Sequence, residues 1–170
     1  GNPTVNWTLD IIERLQKENP NFLAQFSSCE AFPWTTHLIN LYKENWNWDV
    51  LSRNNSLPWS EELIEQFQEK WNWSDLSWND SLPWTEQFLE KYSKKLDWSL
   101  LSSNTNLPWS YEIIEKYINK WDWDFLSDNA SITWTTELIK KHEEKWAWSR
   151  LSSNSSLPWK AELIRKYLIK

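Results

Sequence analysis

"LSSNTNLPWSYEIIEKYINKWDWDFLSDN", residues 101–129, opens on Leu-Ser-x-Asn and returns to it 25 residues later, passing three tryptophans on the way. The period holds along the chain. Tryptophans of the Leu-Pro-Trp signature stand at Trp34, Trp59, Trp84, Trp109, Trp134 and Trp159. A second series, Trp46/Trp48, Trp71/Trp73, Trp121/Trp123 and Trp146/Trp148, keeps the same spacing, with Leu96 replacing the first member beside Trp98. Ser52, Ser77, Ser102, Ser127 and Ser152 recur at one position, and Asn54, Asn79, Asn104, Asn129 and Asn154 at another. A fixed period of this size marks a repeat architecture, in which neighbouring units bury what one unit alone leaves exposed.

Each unit reads as two helices. In "PWSEELIEQFQEKW", Leu63, Ile64, Phe67 and Trp71 fall on one helical face. Ser60 stands where a side chain caps the first free amides, and Thr35, Thr85, Ser110 and Thr135 match it, whereas Lys160 cannot cap. Trp59 and Ile64 have the spacing of a hydrophobic staple. Glu112, Glu137 and Glu162 suit the helix start, Lys120, Lys145 and Lys170 its end, and Glu112–Lys116, Glu137–Lys141 and Glu162–Lys166 have i,i+4 spacing. The expected first helix runs roughly 10–12 residues, with a second of about 6–7 capped by Asn47, Asn72, Asp97 or Asp122. With one glycine in the chain, Gly1, which reads as a leftover of expression, the recurring Asn is expected to make the left-handed helix stop. The expectation is an all-α fold, an α-solenoid of 25-residue helix-turn-helix repeats: an irregular capping unit over 1–33, five regular units over 34–158 and a partial unit over 159–170.

"KWDWDFLSDN" and "LPWSYEIIEKY" resemble the tandem tryptophan-rich repeats (W-D-W-x-x-L-S-x-N, then L-P-W) of bacterial and giant-virus proteins, and "ENPNFLAQFS" is similar to the viral variant. The likeness covers nearly the whole chain. It implies paired helices and carries over no activity and no functional residue.

A net charge of −6 and a pI near 5.0 disfavour bulk attraction to nucleic acid or anionic lipid. No apolar run approaches the roughly 18 residues of a membrane span. The single Cys29 has no internal disulfide partner, which fits a cytoplasmic location.

Catalysis finds little footing. His37 and His142 occupy different places in their units, Cys29 is far in sequence from either, and there is no glycine-rich phosphate loop, H-E-x-x-H or C-x-x-C. The recurring Ser and Asn serve turns, since an active site needs one asymmetric constellation. No enzyme, metal or cofactor is expected. Periodic tryptophans fill the seam between helices better than they make a stacking platform, because helices this short need the burial.

Two positions break the rule of sameness. One carries Arg53, Trp78, Ser103, Asp128 and Ser153; the other, across the recurring Asn, carries Asn55, Asp80, Thr105, Ala130 and Ser155. Varied residues on a constant frame often form the recognition surface of a repeat protein, though weak selection on exposed residues produces the same contrast. They make a non-catalytic scaffold for a protein partner, or a spacer in a larger protein, the preferred reading, with Arg53, Asn55, Trp78, Asp80, Ser103, Thr105, Asp128 and Ser153 as candidate contacts. The alternative is nucleic-acid binding along a phosphate ladder of Lys70, Lys95, Lys120, Lys145 and Lys170, against which stands the acidity of the same helices. Leu168 and Ile169 replace polar residues of earlier units, so this end is expected to continue the array or dock on another domain or chain.

Overall fold

The computed structural model describes residues 7–158 and Lys166. Trp159, Lys160, Glu162, Leu168, Ile169 and Lys170, and with them most of the partial unit, lie outside the described residues. Among these there are twelve helices and no strand, and no helix is long and apolar enough to cross a membrane. The chain divides into two compact units, Gly1–Pro83 and Trp84–Lys170. The first holds α1 (Leu9–Glu18), α2 (Phe22–Phe26), α3 (Thr36–Leu41), α4 (Trp48–Ser52), α5 (Glu61–Gln66) and α6 (Trp73–Trp78). The second holds α7 (Glu86–Tyr92), α8 (Trp98–Ser103), α9 (Tyr111–Lys116), α10 (Trp123–Asp128), α11 (Thr136–Lys141) and α12 (Trp148–Leu151).

The caps form as the sequence implies. Thr35, Ser60, Thr85, Ser110 and Thr135 each accept the backbone N–H three residues on. Asn47, Asn72, Asp97 and Asp122 do the same for the short helices, while Ala147 leaves α12 without a side-chain cap. Leu-Pro-Trp is a three-residue turn: the Trp59 N–H donates to Leu57 O across Pro58 at 2.7 Å, as Trp109 does to Leu107 O. Proline's locked φ suits that turn, and Leu57 and Leu107 drop into the core on its near side.

The first helix of each regular unit is shorter than its apolar periodicity implies, 6 or 7 residues. The indole N–H of Trp71 donates to Ile64 O (3.2 Å), the carbonyl that Gln68 N–H would take in a continuing helix, and Gln68 turns to Glu65 O instead. Trp46, Trp121 and Trp146 treat Ile39, Ile114 and Ile139 the same way. Where Leu96 stands in for that indole, α7 runs one residue further and its C-cap Ser93 stays in helical geometry (φ −54°), unlike Phe67 and Tyr117 (φ −120° and −115°).

The indoles form the seam. Trp71 lies 5.0 Å from Trp59 of its own repeat and 4.6 Å from Trp48 of the preceding one; Trp121 repeats this with Trp109 (5.1 Å) and Trp98 (4.9 Å), and Trp146 with Trp134 and Trp123. Edge and tilted geometries of this kind add to the area that each ring buries. Trp46, Trp71, Trp121 and Trp146 are buried, as are Trp84, Trp109 and Trp134, whereas the second member of each Trp-x-Trp pair is half-buried.

The recurring Ser and Asn tie consecutive repeats together. Ser52 Oγ donates to Trp48 O (2.7 Å) and accepts from Asn72 N–H (3.0 Å); Ser27, Ser102 and Ser127 bridge likewise to Asn47, Asp122 and Ala147. Each of these serines is completely buried. Asn54 Nδ2 reaches back to Ser27 O (2.9 Å) while its Oδ1 accepts from Ser56 N–H, and Asn79, Asn129 and Asn154 repeat the pattern. Asn is therefore not the left-handed stop expected of it. Asn79, Asn104 and Asn129 are extended (φ −77°, −67° and −73°), and no described residue has positive φ. The side chain, bonded on both sides, closes the turn that a glycine's conformation would otherwise make.

Candidate functional site

In each compact unit the short helices pack side by side, α4 against α6 in the first, and α8 against α10 and α10 against α12 in the second. Their C-terminal turns present the variable residues. Arg53, Asn55, Trp78, Asp80, Thr105, Asp128 and Ser153 are exposed, Trp78 by 63%, and Ser103 is half-buried with its hydroxyl donating to Leu100 O. The structure brings Ser103, Thr105 and Asp128 together in one groove between consecutive turns and sets Arg53 in another, whereas Asn55, Trp78, Asp80 and Ser153 line neither. In the second unit, Ser103, Thr105, Phe125, Asp128, Asn129 and Ala130 line a depression of about 210 Å³. The repeat-equivalent residues Ser28, Glu30, Val50, Arg53 and Asn54 line one of about 240 Å³ in the first.

These grooves reveal a third variable position that the comparison of turns overlooked: Gln25, Val50, Asp75, Leu100, Phe125 and Arg150, on the outer face of the short helices. The signal was present, since these residues are as unlike one another as the other two sets. It was masked because Val50, Leu100 and Phe125 look like the apolar face of a helix, whereas the buried apolar residue is the neighbouring Leu51, Leu101 or Leu126. The third position talks to the first. Arg53 Nε pairs with Asp75 Oδ1 at 2.8 Å, and hydrogen bonding to that carboxylate pushes the guanidinium pKa up. Arg150 lies 5.6 Å over the Phe125 ring, itself 38% exposed.

The lysine ladder sits elsewhere and does not complement the ends of its own helices, although Lys120 Nζ donates to Ser93 O, the C-cap of α7 in the preceding repeat, at 3.2 Å. Because α9 and α11 stop at Lys116 and Lys141, Lys120 and Lys145 fall beyond them. Lys120 lies 4.6 Å over the Trp98 ring, Lys145 5.5 Å over Trp123, and Lys70 5.8 Å over Trp48 with an ion pair to Glu44 at 3.1 Å. Each covers the half-buried indole of the preceding repeat. Of the other ladder lysines, Lys95 is exposed in the second unit and Lys170 lies outside the described residues.

The expected pairs Glu112–Lys116 and Glu137–Lys141 are also replaced. Lys116 reaches Glu86 (3.0 Å) and Glu90 (3.3 Å), and Lys141 reaches Glu115 (2.8 Å) and Tyr111 Oη, so the charges bind repeat to repeat. The Glu112 carboxylate instead turns back to its own backbone N–H and the Ser110 hydroxyl, which holds its pKa down. The Lys141 hydrogen bond, with that of His142 behind it, likewise holds Glu115 below the usual carboxylate range.

His142 fills the ring position occupied elsewhere by Tyr42, Phe67, Tyr92 and Tyr117; it is buried, with Nε2 2.6 Å from Glu115 Oε1 and its ring 5.3 Å from Trp123. His37 lines an apolar recess with Trp7, Ile12 and Leu38 in the first unit. Cys29 is half-buried and uses its carbonyl to accept the Trp34 indole N–H at 2.9 Å. Among the described residues no group of three or more His, Cys, Asp or Glu is placed to hold a metal ion. Compared with known protein families, curated proteins and solved structures, the chain matches none.

Proposed function

We propose that the chain is an α-solenoid of 25-residue helix-turn-helix repeats that serves as a non-catalytic scaffold for a protein partner, with the turns of the short helices as the contact surface. One observation carries the reading: residues of the three positions that differ from repeat to repeat line two open grooves, while the recurring Asn and Leu and, except for the exposed Ser152, the recurring Ser around them are buried. A constant frame with changing groove walls suits selective contact, as in other stacked-repeat proteins.

Replacing Arg53, Trp78 and Asp128 together by alanine tests it. All three are exposed, and the Arg53–Asp75 pair lies at the surface, where solvent screening leaves an ion pair little weight in stability. Circular dichroism and melting should stay near wild type while a partner captured by the wild-type chain is lost. Capture that survives the triple change places the contact somewhere other than the turns.

A further inference from the structure

The charge of the chain is unevenly divided. In the first unit the short helices and their turns carry Glu30, Asp49, Asp75 and Asp80 against Arg53 alone; in the second, Asp97, Asp122, Asp124 and Asp128 against Arg150 alone. They hold no lysine, and their excess of carboxylates equals the whole net charge of −6. The remaining segments, with all the lysines, are therefore neutral. Both arginines are already engaged, Arg53 by Asp75 and Arg150 by the Phe125 ring. Some carboxylates have structural duties, Asp97 and Asp122 as helix caps. Asp124 and Asp128 do not cap, and both are exposed, Asp128 on the groove wall beside Phe125 and Ala130.

Resting on the turn-surface reading, we propose that the groove at Phe125 takes an extended peptide segment rich in lysine or arginine, its cationic heads over Asp124 and Asp128 and intervening apolar side chains in the recess at Phe125 and Ala130; the groove of the first unit, lined by both Glu30 and Arg53, has no such excess of charge. Charge complementarity selects this occupant: the same surface repels phosphate and acidic peptides. The recurring Asn cannot grip the peptide backbone, because Asn129 Nδ2 is committed to Ser102 O and Asn104 O and its Oδ1 to Ser131 N–H. Recognition then leans on the charged and apolar side chains of the groove, and binding weakens as salt screens the exposed pairs.

The test uses the full chain and a short labelled peptide alternating lysine with leucine, followed by fluorescence anisotropy, with a glutamate–leucine peptide as its counterpart. The lysine peptide should bind, more weakly as salt rises, and the glutamate peptide should not. D124N/D128N should weaken binding about tenfold, the sum of two surface charge contacts. E137Q/E144Q, which removes two exposed carboxylates from the first-helix side of its repeats, should leave it unchanged. Circular dichroism verifies that both variants fold. Absence of lysine-peptide binding, equal binding of the glutamate peptide, indifference to D124N/D128N, or equal loss in E137Q/E144Q overturns the assignment. If the peptide fails while partner capture still depends on Arg53, Trp78 and Asp128, the turn surface stands and only its cationic preference falls; if both fail, both readings fall.

Discussion

A tryptophan here does two jobs that no other side chain combines: it fills a seam with a large ring and carries one N–H that must find an acceptor. In Trp121 the ring is buried between Trp98 and Trp109 and the N–H ends on Ile114 O at 3.1 Å. Trp121→Ala should destabilise the fold by about 3–5 kcal/mol in chemical denaturation. Trp123→Ala should cost less, because that ring is half-buried and part of its cover is the exposed side chain of Lys145. Equal losses would show that exposure does not grade the two indoles. The periodicity alone marked Trp121 and Trp123 as seam residues but could not rank them, because their difference arises from which ring the next repeat's lysine covers. Trp78 was legible as an outlier, since no other repeat has an aromatic at its register, and among the described residues it is the exposed indole, at 63%.

At the scale of the element, start signals were plain and stop signals were hidden. Every predicted Ser, Thr, Asn or Asp cap among the described residues takes its place, because a cap is a local bond across three residues. The helix ends escaped because they depend on a side chain seven residues beyond the carbonyl it captures, a relation that apolar spacing does not encode. α2 and α12 lack a side-chain cap bond, but only α12 has no capping residue at its start, and it is the shortest of the described helices, at 4 residues. Ala147→Asp should supply the cap, as Asp122 does for α10, and raise stability by about 1 kcal/mol, read as an upward shift in Tm. Pairing between helices makes a second prediction. Glu115 has a folded-state pKa below its unfolded one, so its contribution is present above the unfolded value and fades as pH falls through the lowered one. Lys141 is shifted up, so the same pair is also lost as pH rises through that raised value. The Tm difference between wild type and Glu115→Gln should therefore be widest near neutrality and close at both extremes; a difference independent of pH would refute the electrostatic origin.

At the scale of the whole molecule, the division of charge settles which long-range forces the chain can use. Its lysines, with Arg14 and Arg165, are offset by an equal number of carboxylates on the same segments, and the lysines beside the indoles are packed against rings. A phosphate backbone therefore meets no net attraction, and a mobility-shift titration should show no complex with single- or double-stranded nucleic acid even at about 50 mM salt. A shifted band with a steep salt slope would restore the lysine ladder as a binding element. All-helical repeat architecture was legible in the sequence because it repeats a local pattern many times over; the grooves were not, because they exist only once two turns lie side by side. Their backbone has one more consequence. Since every described turn is wound from dihedral angles open to any L-amino acid, replacement at a groove position meets no stereochemical veto. Evolution, or a designer, can rewrite one groove at a time and leave the frame untouched.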